Sequence, residues 1–94
     1  MSTATVRLPT ISTYGNYSSS NYGAHALRVD VGELTVWFSY NTPVAFHKLG
    51  GSKVVRRNDW GPTTGKHLNA IDDGNKADRV DSETFWRLFA EAMA

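Results

Sequence analysis

From residue 26 onward, apolar residues occupy every second position. Leu27, Val29 and Val31 share one side of an extended segment, with Arg28 and Asp30 on the other. Successive side chains leave a strand on opposite faces, so this alternation predicts a half-buried strand over 26–31. Gly32 interrupts it. Over 34–40 the pattern resumes, with Leu34, Val36, Phe38 and Tyr40 facing one way and Thr35, Trp37 and Ser39 the other. The short gap makes the two an antiparallel hairpin. Asn41-Thr42-Pro43 reads as a turn, because Pro cannot donate to a ladder and Asn tolerates turn geometry. A third strand follows at 44–49, Gly50-Gly51 marks another hairpin, and a fourth strand covers 53–57. Strands joined by short turns pair with their neighbours, so residues 26–58 predict an antiparallel meander.

The period changes after Trp60. Gly61-Pro62 breaks the chain, and a helix over 63–72 follows, capped by Thr63 or Thr64 and turning Leu68 and Ile71 inward. Asp72-Asp73-Gly74-Asn75 ends it. The second helix, 81–93, is better marked. Asp81 is a good N-cap, Ser82 and Glu83 fill the first turn where the helix dipole favours acid, and Val80 and Phe85 have the spacing of a hydrophobic staple. Phe85, Leu88, Phe89 and Ala92 form one stripe, flanked by Trp86 and Met93. So short a helix is marginal alone and must pack on the sheet. The expected fold is α+β: a curved four- or five-stranded antiparallel sheet, a meander, followed by two helices. The C-terminal helix should cover Val29, Val36, Phe38 and Phe46.

Residues 1–24 form a segment rich in Tyr, Ser, Asn and Gly. Val6-Arg7-Leu8 reads as a short edge strand stopped by Pro9. Tyr14, Tyr17 and Tyr22 sit in a polar loop, and their rings suit a loop that wraps onto the sheet. The 94 residues are the size of a single domain.

Composition narrows the function classes. There is no cysteine, which excludes disulfides, thiolate chemistry and Cys-ligated zinc and fits a cytoplasmic setting. Met1-Ser2-Thr3-Ala4-Thr5 lacks the basic and apolar regions of a secretory signal, and no run is apolar enough to cross a membrane. Aromatics, at 12%, are abundant enough to build a core without staples. Net charge is only +1 but unevenly spread. Lys48, Lys53, Arg56, Arg57 and Lys66 face one acid, Asp59, over 47–68, whereas acids outnumber bases over 69–94. A basic middle beside an acidic tail can steer an anionic ligand.

The run Trp60-Gly61-Pro62-Thr63-Thr64-Gly65-Lys66-His67-Leu68 resembles a phosphate loop but fails as one. Three residues rather than four separate the glycines, and His67 stands where a magnesium-binding hydroxyl belongs. A helix start still attracts anions through its free N–H groups, so Thr63, Thr64, Lys66 and His67 remain a candidate anion site. His25, His47 and His67 match no compact metal-ligand spacing. No nucleophile elbow or carboxylate pair is present, so no catalytic set, metal or cofactor is expected. Lys53, Arg56 and Arg57 with Trp60 make a candidate nucleic-acid surface, although alternation sends Arg56 and Arg57 to opposite faces.

Tyr14-Gly15-Asn16-Tyr17, Phe38-Ser39-Tyr40-Asn41-Thr42-Pro43-Val44-Ala45-Phe46, Asn58-Asp59-Trp60 and Thr63-Thr64-Gly65-Lys66-His67-Leu68 together resemble a small uncharacterised family from bacteriophages and prokaryotes. The resemblance spans residues 13–71 and carries no activity with it. It implies a small stand-alone domain, a phage or prokaryotic setting and a cytoplasmic location. The favoured expectation is a non-enzymatic binding protein that engages a host or viral protein through Tyr14, Tyr17, Tyr22, Trp37 or Trp86, as a monomer or homodimer. The alternatives are a nucleic-acid-binding module using the basic segment 48–67 and, more distantly, phosphate binding at Thr63–His67.

Overall fold

The computed structural model describes residues 8–15 and 25–94. Five strands follow in chain order: β1 (Thr10–Thr13), β2 (Ala26–Val31), β3 (Leu34–Ser39), β4 (Thr42–Lys48) and β5 (Val54–Val55). Each pairs antiparallel with the next, giving one open meander. Two helices follow, α1 (Pro62–Asp72) and α2 (Ser82–Met93), with a 3-10 turn at Lys76–Asp78 between them. The architecture is the expected α+β meander with two trailing helices.

The edge strand differs from expectation. It lies beyond Pro9, at Thr10–Thr13, and Leu8 is outside it. Val6 and Arg7 fall outside the described residues. All four β1 residues are exposed, so the strand carries no burial pattern that could be read. Pairing with β2 holds it, from Thr10 opposite Asp30 to Thr13 opposite Leu27.

The turns are tight. Gly32 takes φ 58° between β2 and β3, a conformation glycine adopts without steric cost. Tyr40 takes φ 57° in the two-residue connection to β4, so β3 ends at Ser39 and β4 begins at Thr42 rather than at residue 44. Left-handed backbone costs a non-glycine residue about 1 kcal/mol. The Tyr40 ring stacks on His25 at 4.4 Å, a contact that offsets part of that cost. Pro43 therefore lies inside β4, opposite Phe38. The register shifts between Trp37 and Phe38, leaving Val44 as the extra residue of a bulge, a place where a strand accepts proline. Val44 and Ala45 consequently enter the same core cluster.

Strand alternation creates two cores, one on each sheet face. Trp37, Val44, Ala45 and Val55 pack against Leu68 and Ile71 of α1. Val36 and Phe46 pack against Phe85 of α2, with Leu34, Phe38, Val54, Val80, Leu88, Phe89 and Ala92 partly buried around them. Val29, expected beneath α2, is only half-buried and lies outside that cluster. It shares an open shallow groove with Ile11, Leu27, Phe38 and Tyr40.

The helix ends follow from their residues. The Asp81 carboxylate accepts from the Thr84 N–H at 2.8 Å and starts α2. Val80 and Phe85 join the same cluster, as a staple requires. The start of α1 differs from expectation. Gly61 is its N-cap and Pro62 its first residue, with no side-chain cap, and Thr64 turns inward instead. Pro is well suited there, because the first helical N–H would have no helical partner. Ahead of α2, Val80 forms a parallel bridge with Arg56, donating its N–H to the Val55 carbonyl at 2.9 Å and accepting from Arg57 at 2.6 Å. This stitch fixes where α2 begins relative to β5.

Candidate functional site

Beyond β5 the alternation continues for two residues and sends two arginines apart. Arg56 follows Val54 to the α2 side, and Arg57 follows Val55 to the α1 side. Arg56 is 5% exposed. Its guanidinium carbon lies 4.4 Å from the Trp60 ring centroid, 5.5 Å from Phe85 and 5.8 Å from Trp86. Cations favour aromatic faces because the ring quadrupole is negative there. Nη2 donates to the Asp59 carboxylate at 3.2 Å, while the buried Nε has no acceptor among the described residues. Trp60 and Trp86 remain 44% and 41% exposed, so this caged cation underlies a solvent-facing aromatic surface.

On the α1 side a cleft of about 250 Å³ opens between the β5–α1 loop, α1 and the 3-10 turn. Arg57, Asn58, Gly65, Asn69, Lys76 and Arg79 line it. Asn58 is held at both ends, Nδ2 donating to the Gly61 carbonyl at 3.2 Å and Oδ1 accepting from the Trp60 N–H at 2.9 Å. A side chain at position 65 would bring its Cβ within 3.2 Å of that Nδ2, so glycine lets Asn58 lie against the helix. Arg79 is buried and bonds both Asp72 and Asn69.

A third group is internal. The Ser39 hydroxyl lies 2.7 Å from His67 Nδ1 and 2.9 Å from the Thr64 hydroxyl. A hydroxyl beside an imidazole is the first half of a nucleophile–base pair. Here Ser39 is 3% exposed and His67 fully buried, and the network joins β3 to α1. Tyr14 lies at its edge, donating its hydroxyl to the Phe38 carbonyl at 2.8 Å, its ring 6.1 Å from His67.

The sequence-derived candidates thus separate. Thr64 and His67 are buried in the link between β3 and α1, each hydrogen-bonded to Ser39. Thr63 is half-buried and Lys66 exposed on that helix. Lys53 donates to the Ile71 carbonyl at 2.7 Å, at the C-terminal end of α1, with its ammonium over Trp37. Trp37 is 9% exposed in the α1-side core, with Arg28 and Lys53 over its ring. Trp86 is at the surface; Tyr17 and Tyr22 lie outside the described residues. Sequence reasoning missed Asn58, Asn69, Lys76 and Arg79, which three separate segments bring together. The available signals were the Asn58-Asp59-Trp60 motif and the opposite charge of Asp72 and Arg79 across the turn between the helices.

Among the described residues no cluster of three metal-ligating side chains occurs, and no helix is long and apolar enough to cross a membrane. The model of a family of unknown function, DUF8033, matches residues 9–87. The chain belongs to that family. The match reaches past the segment of resemblance at 13–71 and takes in the first half of α2. No curated protein and no solved structure matches the chain.

Proposed function

We propose that this chain is a non-enzymatic interaction module of a phage or prokaryotic cytoplasm that engages a protein partner through Trp60 and Trp86. The observation behind the reading is the caged Arg56: two half-exposed tryptophans are fixed over one buried guanidinium. Tryptophan and arginine are the residue types that concentrate binding free energy at protein interfaces, and pre-positioned rings lose little entropy on docking. The partner presents an apolar side chain to these rings. Nucleic-acid binding by the basic segment is the less favoured reading, because Lys53, Arg56 and Arg57 lead to three different places: the end of α1, the α2 side and the α1-side cleft.

A photo-crosslinking amino acid at position 60, compared with one at the distant Glu33, tests this in cells that express the chain. The expected result is one protein crosslinked from position 60 alone. Once purified, it should bind the wild type roughly tenfold or more tightly than a folded Trp86→Ala variant. Equal crosslinking from both positions, or binding indifferent to Trp86, would overturn the proposal.

A further inference from the structure

We infer that the α1-side cleft is a binding site for a phosphate monoester, separate from the tryptophan surface. Its lining combines three cationic side chains, Arg57, Lys76 and Arg79, with two carboxamides and no acid. Arg79 is already neutralised. Its Nε and Nη2 engage both oxygens of Asp72 at 2.8 and 2.9 Å. Arg57 and Lys76 form no ion pair among the described residues, and both are exposed. Arg57 acts at longer range on Asp81, whose pKa it helps to lower. The cleft therefore carries two cations outside any close ion pair, a charge suited to a phosphate monoester.

The neutral groups are also suited to an oxyanion. Asn69 Oδ1 accepts from Arg79 Nη2 at 3.0 Å, and this orients the amide so that its Nδ2 is the remaining donor. Arg79 thus acts as a positioning residue, set by Asp72 and in turn setting Asn69. Arg57 offers a planar fork of donors and Lys76 a compact charge, the two means by which proteins hold phosphate. The volume lies just below the range of drug-sized pockets and exceeds the needs of a bare ion, which leaves room for a sugar-sized group on the phosphate. That phosphate could belong to a free metabolite or to the 5′ end of a nucleic acid.

The test is a two-dimensional amide NMR titration of the whole chain with inorganic phosphate, ribose 5-phosphate, and a short oligothymidylate with or without a 5′ phosphate. Saturable shifts centred on Asn58, Gly65, Asn69 and Lys76 are expected with ribose 5-phosphate. A charge reversal at either of these cations, Arg57→Glu or Lys76→Glu, should weaken binding roughly tenfold or more. Lys48→Glu, at the C-terminal end of β4 and outside the cleft lining, makes the same change in net charge and should leave binding intact. Preference for the phosphorylated oligonucleotide over ribose 5-phosphate would assign the ligand to nucleic-acid ends; the reverse would assign it to small metabolites. Absence of saturation up to about 10 mM of every probe, or equal losses in Lys48→Glu and Lys76→Glu, would overturn the site. Trp86→Ala should not alter the titration, so this test and that of the protein interface fail independently.

Discussion

The Arg79 guanidinium grips the Asp72 carboxylate at two points and ties the end of α1 to the segment that leads into α2. The two side chains are only 4% and 11% exposed. Burial alone would raise the Asp72 pKa, but the hydrogen bonds and charge of Arg79, with the Gly74 and Asn75 N–H groups, hold it below the ordinary 3.8. Asp30, lowered by hydrogen bonds from Arg28 and Thr35, and Asp81, lowered by the Thr84 N–H, are shifted in the same direction.

A depressed folded-state pKa stabilises the fold above the unfolded value, and the contribution disappears as pH falls through the folded value. Urea midpoints should therefore stay level from about pH 7 to about pH 5 and drop below about pH 4. In Asp72→Asn the drop should be shallower. At neutral pH Arg79→Ala should cost about 3 kcal/mol, because it leaves a largely buried carboxylate without its cation. An unchanged acid limb in Asp72→Asn would show that the pair does not govern the pH response.

Phe85 and Phe89 stack at 5.8 Å but differ in burial, the first fully enclosed and the second half-buried. Phe85→Ala should cost about 3–5 kcal/mol and Phe89→Ala clearly less, measured by denaturant unfolding. Equal losses would mean that α2 packs through a different face.

Arg56 is a buried cation whose sole carboxylate partner among the described residues, Asp59, is 52% exposed. Desolvation works against such a pair, and an apolar residue of similar length can match or exceed it. Arg56→Met should thus lie within about 1 kcal/mol of wild type, while Arg56→Ala should lose more through missing contacts with Trp60, Phe85 and Trp86. If Arg56→Met were as damaging as Arg56→Ala, the charge itself, rather than the packing, would hold the cage.

Gly65→Ala replaces a poor helix former by the best and would ordinarily stabilise a helix by up to about 1 kcal/mol. Here the new Cβ would meet Asn58 Nδ2 at 3.2 Å, and Asn58 is held by two hydrogen bonds. The gain should be absent in the wild-type background and emerge in Asn58→Ala. Thermal melts of the four proteins form the double-mutant cycle that checks it.

Periodicity made most of this fold legible. The alternation of Val36 and Phe38 with Trp37 and Ser39 corresponds to the two sheet faces, and the stripe from Phe85 to Ala92 marks the buried side of α2. Elements fixed by pairing rather than burial were not legible. β1 has four exposed residues and no pattern, and the bulge at Val44 is a register event with no sequence signature. For the surfaces, alternation separates Arg56 from Arg57, but only tertiary packing buries Trp37 and leaves Trp60 and Trp86 half-exposed. The phosphate cleft depends on Asn58, Asn69 and Lys76 converging from a loop, a helix and a turn, and no spacing rule links them.

The strand order of the sheet is also its order of synthesis. Among the described residues, all five strands precede residue 56 and both helices come after it. During translation the meander can therefore zip from neighbouring hairpins with little loop-closure entropy, a route that favours fast pairing. Its two apolar faces then wait uncovered, one for α1 and the other for α2. The nascent chain is stickiest in that interval, and a chain released before Phe85 would present Val36 and Phe46 to solvent and tend to aggregate.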